Sequence, residues 1–515
     1  MSITDNIRIP STAPAAPEAV PRAGRRAWAG LVLLMLPVLL ISVDNTVLSF
    51  ALPAISLDLR PSSTTLLWIV DIYPLVLAGL LVAMGTLGDR VGRRKLLLIG
   101  ATGFGVVSVL AAFAPTAELL IVARAVMGFF GAMIMPSTLS LLRSMFRDAR
   151  QRTLAIAVWA GAFAAGSSLG PIVGGVVLQH FAWGAVFLIA VPFLLPLVAL
   201  AGWLIPESKD PAPLRIDLVS VVLSLLTLAP LVFAIKTLAH DGVGALGVAT
   251  LLLSLVAGAL FLRRQLRIDN PLLDLTLFHH APFAGSVLAN FLAVFSLVGF
   301  LFFVSQHLQL VLGLDPLTAG LLLLPGAVLS VVAGLASAFV VRRVPPRLVI
   351  VGGILLSAAG FGLIVLLREN LSAGVIVLAF GILSVGVGAA ETISNDTIIS
   401  SVPPDKAGAA AGVSETAYEL GAVLGTAVLG AILAASYRAA VVLPDGLGSG
   451  AAAQAGETLG GALGVAGELP AAQADALAES ARLAFDSGVG VTSIIAVVLM
   501  LVAAAAVQLS MSPRR

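Results

Sequence analysis

Fourteen long apolar runs govern what this chain can fold into, at roughly 28–55, 65–87, 96–114, 118–142, 153–179, 183–205, 216–238, 243–262, 283–310, 317–341, 347–367, 371–397, 409–435 and 488–509. A helix rises about 1.5 Å per residue, so runs of about 20 residues match a hydrocarbon layer of about 30 Å. A soluble body could not bury them all. The chain is 59% hydrophobic and 11% charged with a mean hydropathy of +1.08, whereas a water-soluble domain of this size needs a polar skin and about 25% charge. Lipid admits only helices and closed barrels, and barrel strands alternate apolar and polar residues over segments of about ten. The runs therefore predict an all-α integral membrane protein. The 51 glycines and 28 prolines fit membrane helices, where glycine permits close packing and neighbours satisfy freed backbone groups.

An even number of spans places both termini on one side. With that side inside, the inner segments hold 23 of the 29 lysines and arginines. Arg60, Lys236, Arg368, Arg438 and Arg482 fall outside, and Arg124 lies within a span. This asymmetry predicts cytoplasmic termini. It also accounts for the net charge of +2 and the pI near 9.2 without a nucleic-acid partner, because the basic residues are spread over eight cytoplasmic segments. Residues 1–27 read as a disordered cytoplasmic tail, and Trp28, Trp68, Trp183 and Trp203 as an interfacial belt near span ends. There are no cysteines, which excludes disulfides and thiolate chemistry. The histidines lack ligand spacing, so no metal is expected, and no phosphate-binding loop surrounds any of the four lysines (Lys95, Lys209, Lys236, Lys406). No cofactor or ATP motor is expected.

An internal repeat is visible. LGPIVGG at 169–175 echoes LGAVLG at 420–425, and GTLGDRVGRR at 85–94 echoes GLASAFVVRR at 334–343, each echo pairing a span with one eight places later. The layout this implies is 6+2+6: an N-terminal six-helix bundle over 28–205, two inserted helices over 216–262, and a C-terminal six-helix bundle over 283–509. Parallel halves of this kind are a transporter pattern. The long outer segment at 436–487 reads as a solvated hairpin or short helices.

Ionisable groups inside the membrane cost about 2.5–3.5 kcal/mol each at a helix centre, so each is a functional candidate. Asp44, Asp71 and Arg124 fall in the outer half, where an arginine between two aspartates would be a paired cation. Glu415 and Glu419 are four residues apart on one helix face, and two carboxylates so close are suited to being protonated at one side and ionised at the other. Tyr418 and Trp159 are placed to line the same cavity. Trp68 and Asp71, three apart, offer an aromatic face beside a carboxylate, which suits a lipophilic cation. Glu391 and Asp396 sit toward the cytoplasmic end of their span, as vestibule or interfacial carboxylates.

Several motifs together resemble the major facilitator superfamily, specifically its fourteen-span drug:proton antiporters. Gly85, Gly88, Asp89, Arg90, Gly92, Arg93 and Arg94 resemble its cytoplasmic-gate motif. Arg124, Gly128 and Gly131 resemble the motif whose arginine is linked to proton transfer. Gly161, Gly166, Gly170, Pro171, Gly174 and Gly175 resemble the antiporter motif, Asp44–Pro53 resembles the family's first-span signature, and SETAYELG at 414–421 resembles the stretch where such pumps keep substrate and proton carboxylates. Glu391 departs from the pattern. The resemblance implies a secondary transporter of the bacterial cell membrane, not an enzyme, functional as a monomer. It would exchange protons for lipophilic cationic drugs and dyes such as ethidium, acriflavine, quaternary ammonium compounds and fluoroquinolones by alternating access. The alternative on the same fold is a dedicated exporter of one metabolite or antibiotic.

Overall fold

The structure, a computed structural model, describes residues 23–209, 217–268, 271–402 and 407–511. The tail expected over 1–27 therefore lies, as far as residue 22, outside the described residues, as do Arg215, Lys406, Arg514 and Arg515. The helices are α1 (Arg25–Leu59), α2 (Ser63–Val91), α3 (Arg93–Ala112), α4 (Ala117–Met145), α5 (Ala149–His180), α6 (Ala185–Leu204), α7 (Leu218–Asp241), α8 (Ala245–Gln265), α9 (Ala281–Val311), α10 (Pro316–Val340), α11 (Pro346–Leu366), α12 (Ala373–Ser400), α13 (Ala407–Ala440), α14 (Ser449–Glu457), α15 (Leu459–Ala466) and α16 (Ala471–Ser510). Among the described residues thirteen are long and apolar enough to cross a membrane, and α5 makes a fourteenth, bent by 44° between Arg150–Ser167 and Leu169–His180. Pro171 follows the bend, where its missing N–H breaks the helical ladder. Ser62, Thr116, Asp148, Asp217 and Asp315 each accept a hydrogen bond from the backbone N–H three residues on, which starts α2, α4, α5, α7 and α10.

The repeat appears as repeated packing. In the N-terminal half α1 packs on α5, and α2 and α3 on α4; in the C-terminal half α9 packs on α13, and α10 and α11 on α12. Small residues permit the α1–α5 and α9–α13 pairings. A Cβ on Gly170 would collide with Thr46 of α1, and one on Gly174 would lie 2.9 Å from the Val47 side chain. On α13, Gly421 and Gly425 lie equally close to the backbone of Phe291 and Phe295 on α9. Backbones this close gain dispersion energy that lipid cannot supply to bulkier interfaces.

The halves meet through α2 against α13, α5 against α10 and α1 against α9. At the end far from the arginine-rich loops this seam is tight. Phe50, Leu52, Leu66 and Leu67 of the N-terminal half belong to the buried core of the C-terminal half, and Gln309 Nε2 donates to the Phe50 carbonyl at 3.2 Å. The segment at 436–487, expected as a solvated hairpin or short helices, does form the short helices α14 and α15, but they are packed over this end rather than solvated. Its Leu459, Ala462 and Val465 share an apolar face that is buried, and its second half is the first part of α16. Ser63 donates from its N–H and Oγ to Glu457 at 3.1 and 2.7 Å, and Arg60 pairs with Glu468 at 2.6 Å.

The inserted pair α7 and α8 is the most lipid-exposed part. Within the protein 22% and 17% of their central windows are buried, against 78% for α1. Yet α7 packs on both α2 and α13, so it lies across the seam between the halves.

Candidate substrate and proton site

In the N-terminal half, α4 carries Arg124 inward, where it is 2% exposed. Its Nη1 lies 2.6 Å from Asp44 Oδ2 on α1, its Nε donates to the Ile69 carbonyl at 3.4 Å, and its guanidinium lies 4.5 Å from the centroid of the Tyr73 ring. Gly128 and Gly131, one and two turns along α4, make room for Tyr73, since a Cβ on Gly128 would lie 2.6 Å from the Tyr73 carbonyl. The small-residue spacing of this motif thus seats a tyrosine beneath the arginine.

Asp71 does not join that cluster. Its Oδ2 lies 2.8 Å from Nζ of Lys236, and both side chains are fully buried. Lys236 was expected in an outer segment; α7 runs on to Asp241 and carries Lys236 into the protein instead. The same ammonium sits 3.9 Å from the Trp68 ring centroid, and Phe233 tilts against that ring at 6.5 Å. Trp68 therefore serves a buried ion pair rather than the interfacial belt. Trp183 departs from the belt similarly, being buried and donating to Asp58 Oδ2 at 2.6 Å.

The C-terminal half treats its acids otherwise. Glu419 on α13 is 1% exposed, and one oxygen each of Glu415 and Glu419 is buried without a hydrogen-bond partner. Glu391 on α12 is within electrostatic reach of Glu415, and Asp44 and Asn45 of α1 flank Glu419. Among the described residues no arginine, lysine or histidine forms a salt bridge with these three glutamates. Aromatic rings cross the seam beside them: Trp159 stacks on Phe163 at 6.4 Å, and Phe163 of α5 meets Tyr418 of α13 edge to face at 5.4 Å. Carboxylates, an aromatic ladder and both halves thus converge in one place. Asp396 shows no such convergence.

The two glycine-rich motifs have distinct tasks. At the start of α3, Gly92 has φ of +120° and a Cβ there would meet the Glu207 carboxylate at 2.9 Å, so only glycine fits. Glu207 accepts from the N–H groups of Arg94 and Lys95 at 3.0 and 3.2 Å, capping the positive end of α3. Asp89 pairs with Arg93 at 2.8 Å, and Arg94 donates to the Ile205 carbonyl at 2.9 Å. These bonds of the gate motif stay within the N-terminal half, and Arg90 is exposed. In the antiporter motif Gly166, Gly170 and Gly174 face α1, whereas Gly175 and Pro171 meet Pro316 and Gly320 of α10 in the other half.

Sequence reasoning placed Arg124 between Asp44 and Asp71, of which only Asp44 meets it; it placed Glu415, Glu419, Tyr418 and Trp159 together, and it read Glu391, which lies within reach of Glu415, as a vestibule or interfacial carboxylate. It missed Tyr73, Phe163 and the role of Lys236. The signal for Lys236 was a lone lysine inside an otherwise apolar run.

A two-half helical bundle with intramembrane acids on the seam defines a membrane transporter rather than an enzyme. The chain belongs to the Major Facilitator Superfamily, whose family model matches residues 34–426, and it is a multi-pass protein of the bacterial cell membrane. It is 59% identical over 486 residues to the multidrug efflux pump LfrA of Mycolicibacterium smegmatis, across 94% of this chain and 96% of that protein. It is 37% identical over 467 residues to the methyl viologen resistance protein SmvA of Salmonella typhimurium, across 89% and 93%. Among solved structures it is similar to a bacterial homologue of the human lysosomal transporter Spinster in an inward-facing, unoccupied conformation, with a TM-score of 0.65 at 16% identity, across 96% of this chain and all of that one.

Proposed function

We propose that this protein is a multidrug exporter that exchanges protons for lipophilic cations by alternating access. The observation that carries the reading is the set of three glutamates, Glu391, Glu415 and Glu419, that no cation among the described residues pairs with, beside an aromatic ladder that spans both halves. A carboxylate in such a place is neutralised by a proton or by a bound cation, and it cannot hold both at once. Competition between the two is the coupling. The similarity to LfrA and SmvA, one named for multidrug efflux and the other for methyl viologen resistance, supports the export of drugs.

With the arginine-rich end in the cytoplasm, the sealed end is the outer one, so a substrate reaches the glutamates from inside. Proton binding from outside then displaces it once the seam has reopened at that end. Energy comes from the proton gradient, with no cofactor and no ATP. One proton for one monovalent cation is electroneutral and uses only the pH difference, whereas a second proton adds about 2.3 kcal/mol per 100 mV. The seam is complete within one chain, which supports a monomer as the working unit.

Ethidium efflux from proteoliposomes tests this. An imposed proton gradient should drive efflux that a protonophore abolishes, and Glu415→Gln and Glu419→Gln should each remove the dependence on the gradient. Undiminished efflux after collapse of the gradient would refute proton exchange.

A further inference from the structure

We propose that Lys236 is a specificity-determining residue: its ammonium is a tethered cation that holds the position between Trp68 and Asp71 against organic cations. The two partners it occupies, an indole face at 3.9 Å and a buried carboxylate at 2.8 Å, are the pair that binds a lipophilic cation. The inference takes its ligand class from the export of lipophilic cations proposed above.

Packing alone gives little reason to keep this pair. Replacing a buried ion pair by apolar residues of similar volume is often neutral or stabilising, and this one has no supporting bonds beyond its own contact: Asp71 Oδ1 is buried without a hydrogen-bond partner, and among the described residues Lys236 Nζ has only Asp71 Oδ2, at 2.8 Å. No third charge tunes it, because each of the two groups is the other's only charged influence among the described residues. Its place in the fold is particular. Lys236 comes from the inserted, lipid-exposed α7, and the helices packed around it are α2 of one half and α13 of the other, joined there by Leu75, Val232, Val423 and Ala427. Trp68 at the edge of this cluster is partly exposed. A cation moving along the seam from the lipid side meets an aromatic and a carboxylate whose charge is already balanced, and it passes on to Glu415 and Glu419. Removing the ammonium while keeping the stem volume leaves Asp71 in need of a counter-ion, and an organic cation supplies it.

The test uses the purified full-length protein in detergent with ethidium and tetraphenylphosphonium as probes, read by fluorescence and calorimetry. Lys236→Met should bind both probes about tenfold more tightly than wild type. Lys236→Arg, which keeps a tethered charge, should stay within about twofold of wild type, and Asp71→Asn/Lys236→Met should lose the gain. If Lys236→Met does not accumulate as folded protein, Lys236→Gln is measured in its place, with the same gain expected. No gain over wild type, or a gain that persists in the Asp71→Asn double variant, overturns the inference. Absence of ethidium binding by wild type would instead count against the proposed substrate class, because the Lys236 effect is read from the difference between variants.

Discussion

In the N-terminal half Asp44 and Asp71 each face a resident cation, Arg124 and Lys236, whereas in the C-terminal half no arginine or lysine among the described residues pairs with Glu391, Glu415 or Glu419. Removing water from an ionised carboxylate costs several kcal/mol. The first half meets that cost with fixed counter-ions. In the second half no fixed counter-ion pairs with the glutamates among the described residues, and on the proposed function protons and substrate supply the balancing charge. Under the proposed function the second half is the exchanger, although the two halves share one repeated packing plan.

This contrast can be broken most severely at Arg124. Arg124→Leu leaves Asp44 buried and alone, and should destabilise the protein by about 3–5 kcal/mol, seen as a fall in thermal midpoint in detergent. Asp44→Asn/Arg124→Leu should recover most of the loss. Glu419→Gln should do the reverse, leaving the thermal midpoint unchanged or raised while proton-driven efflux falls by at least tenfold. If Glu419→Gln unfolds the protein as Arg124→Leu does, the two halves are not different in kind.

Smaller effects sharpen the picture at the periphery. Asp217 caps α7 and receives two hydrogen bonds from Arg264 of α8, both at 2.9 Å. The bonds from Arg264, and then those from Ser220, hold its carboxyl down to about 2, below its unfolded value of about 3.9. Its contribution is thus full above about pH 4 and is lost as pH falls toward 2. Asp217→Asn should cost about 1 kcal/mol at neutral pH and should flatten that acid limb in a melting series. Glu457 at the outer seal follows the same sign. Burial acts to raise its carboxyl, but hydrogen bonds from Ser63 and His240 outweigh it and hold the group below its usual range. The seal's share of stability should therefore weaken as pH drops below about 4, and Glu457→Gln should remove this dependence for a loss of under about 1 kcal/mol.

The helices were legible because a bilayer demands long apolar runs, and the observed ends lie within a few residues of the expected ones except at α16, whose amphipathic start carries acids that hid its continuity. The Asp44–Arg124 pair was legible because both stand alone in apolar spans. Asp71 was misplaced for a physical reason: span order says nothing about which neighbour an inserted helix chooses, so Lys236, a few residues from the end of its run, looked like a loop lysine. The outer segment was misread because its alanine and glycine content resembles a solvated linker, whereas small residues also permit α15 to pack closely on α1, as Gly460 does against Ser56. The roles of the three glutamates remain a matter of chemistry rather than of position.

The direct measurement is proton release on substrate binding, in weakly buffered solution, by the purified protein. Wild type should release protons as ethidium binds, and Glu415→Gln/Glu419→Gln should bind or refuse ethidium with no change in bulk pH. Proton release from that double variant equal to wild type would contradict the account.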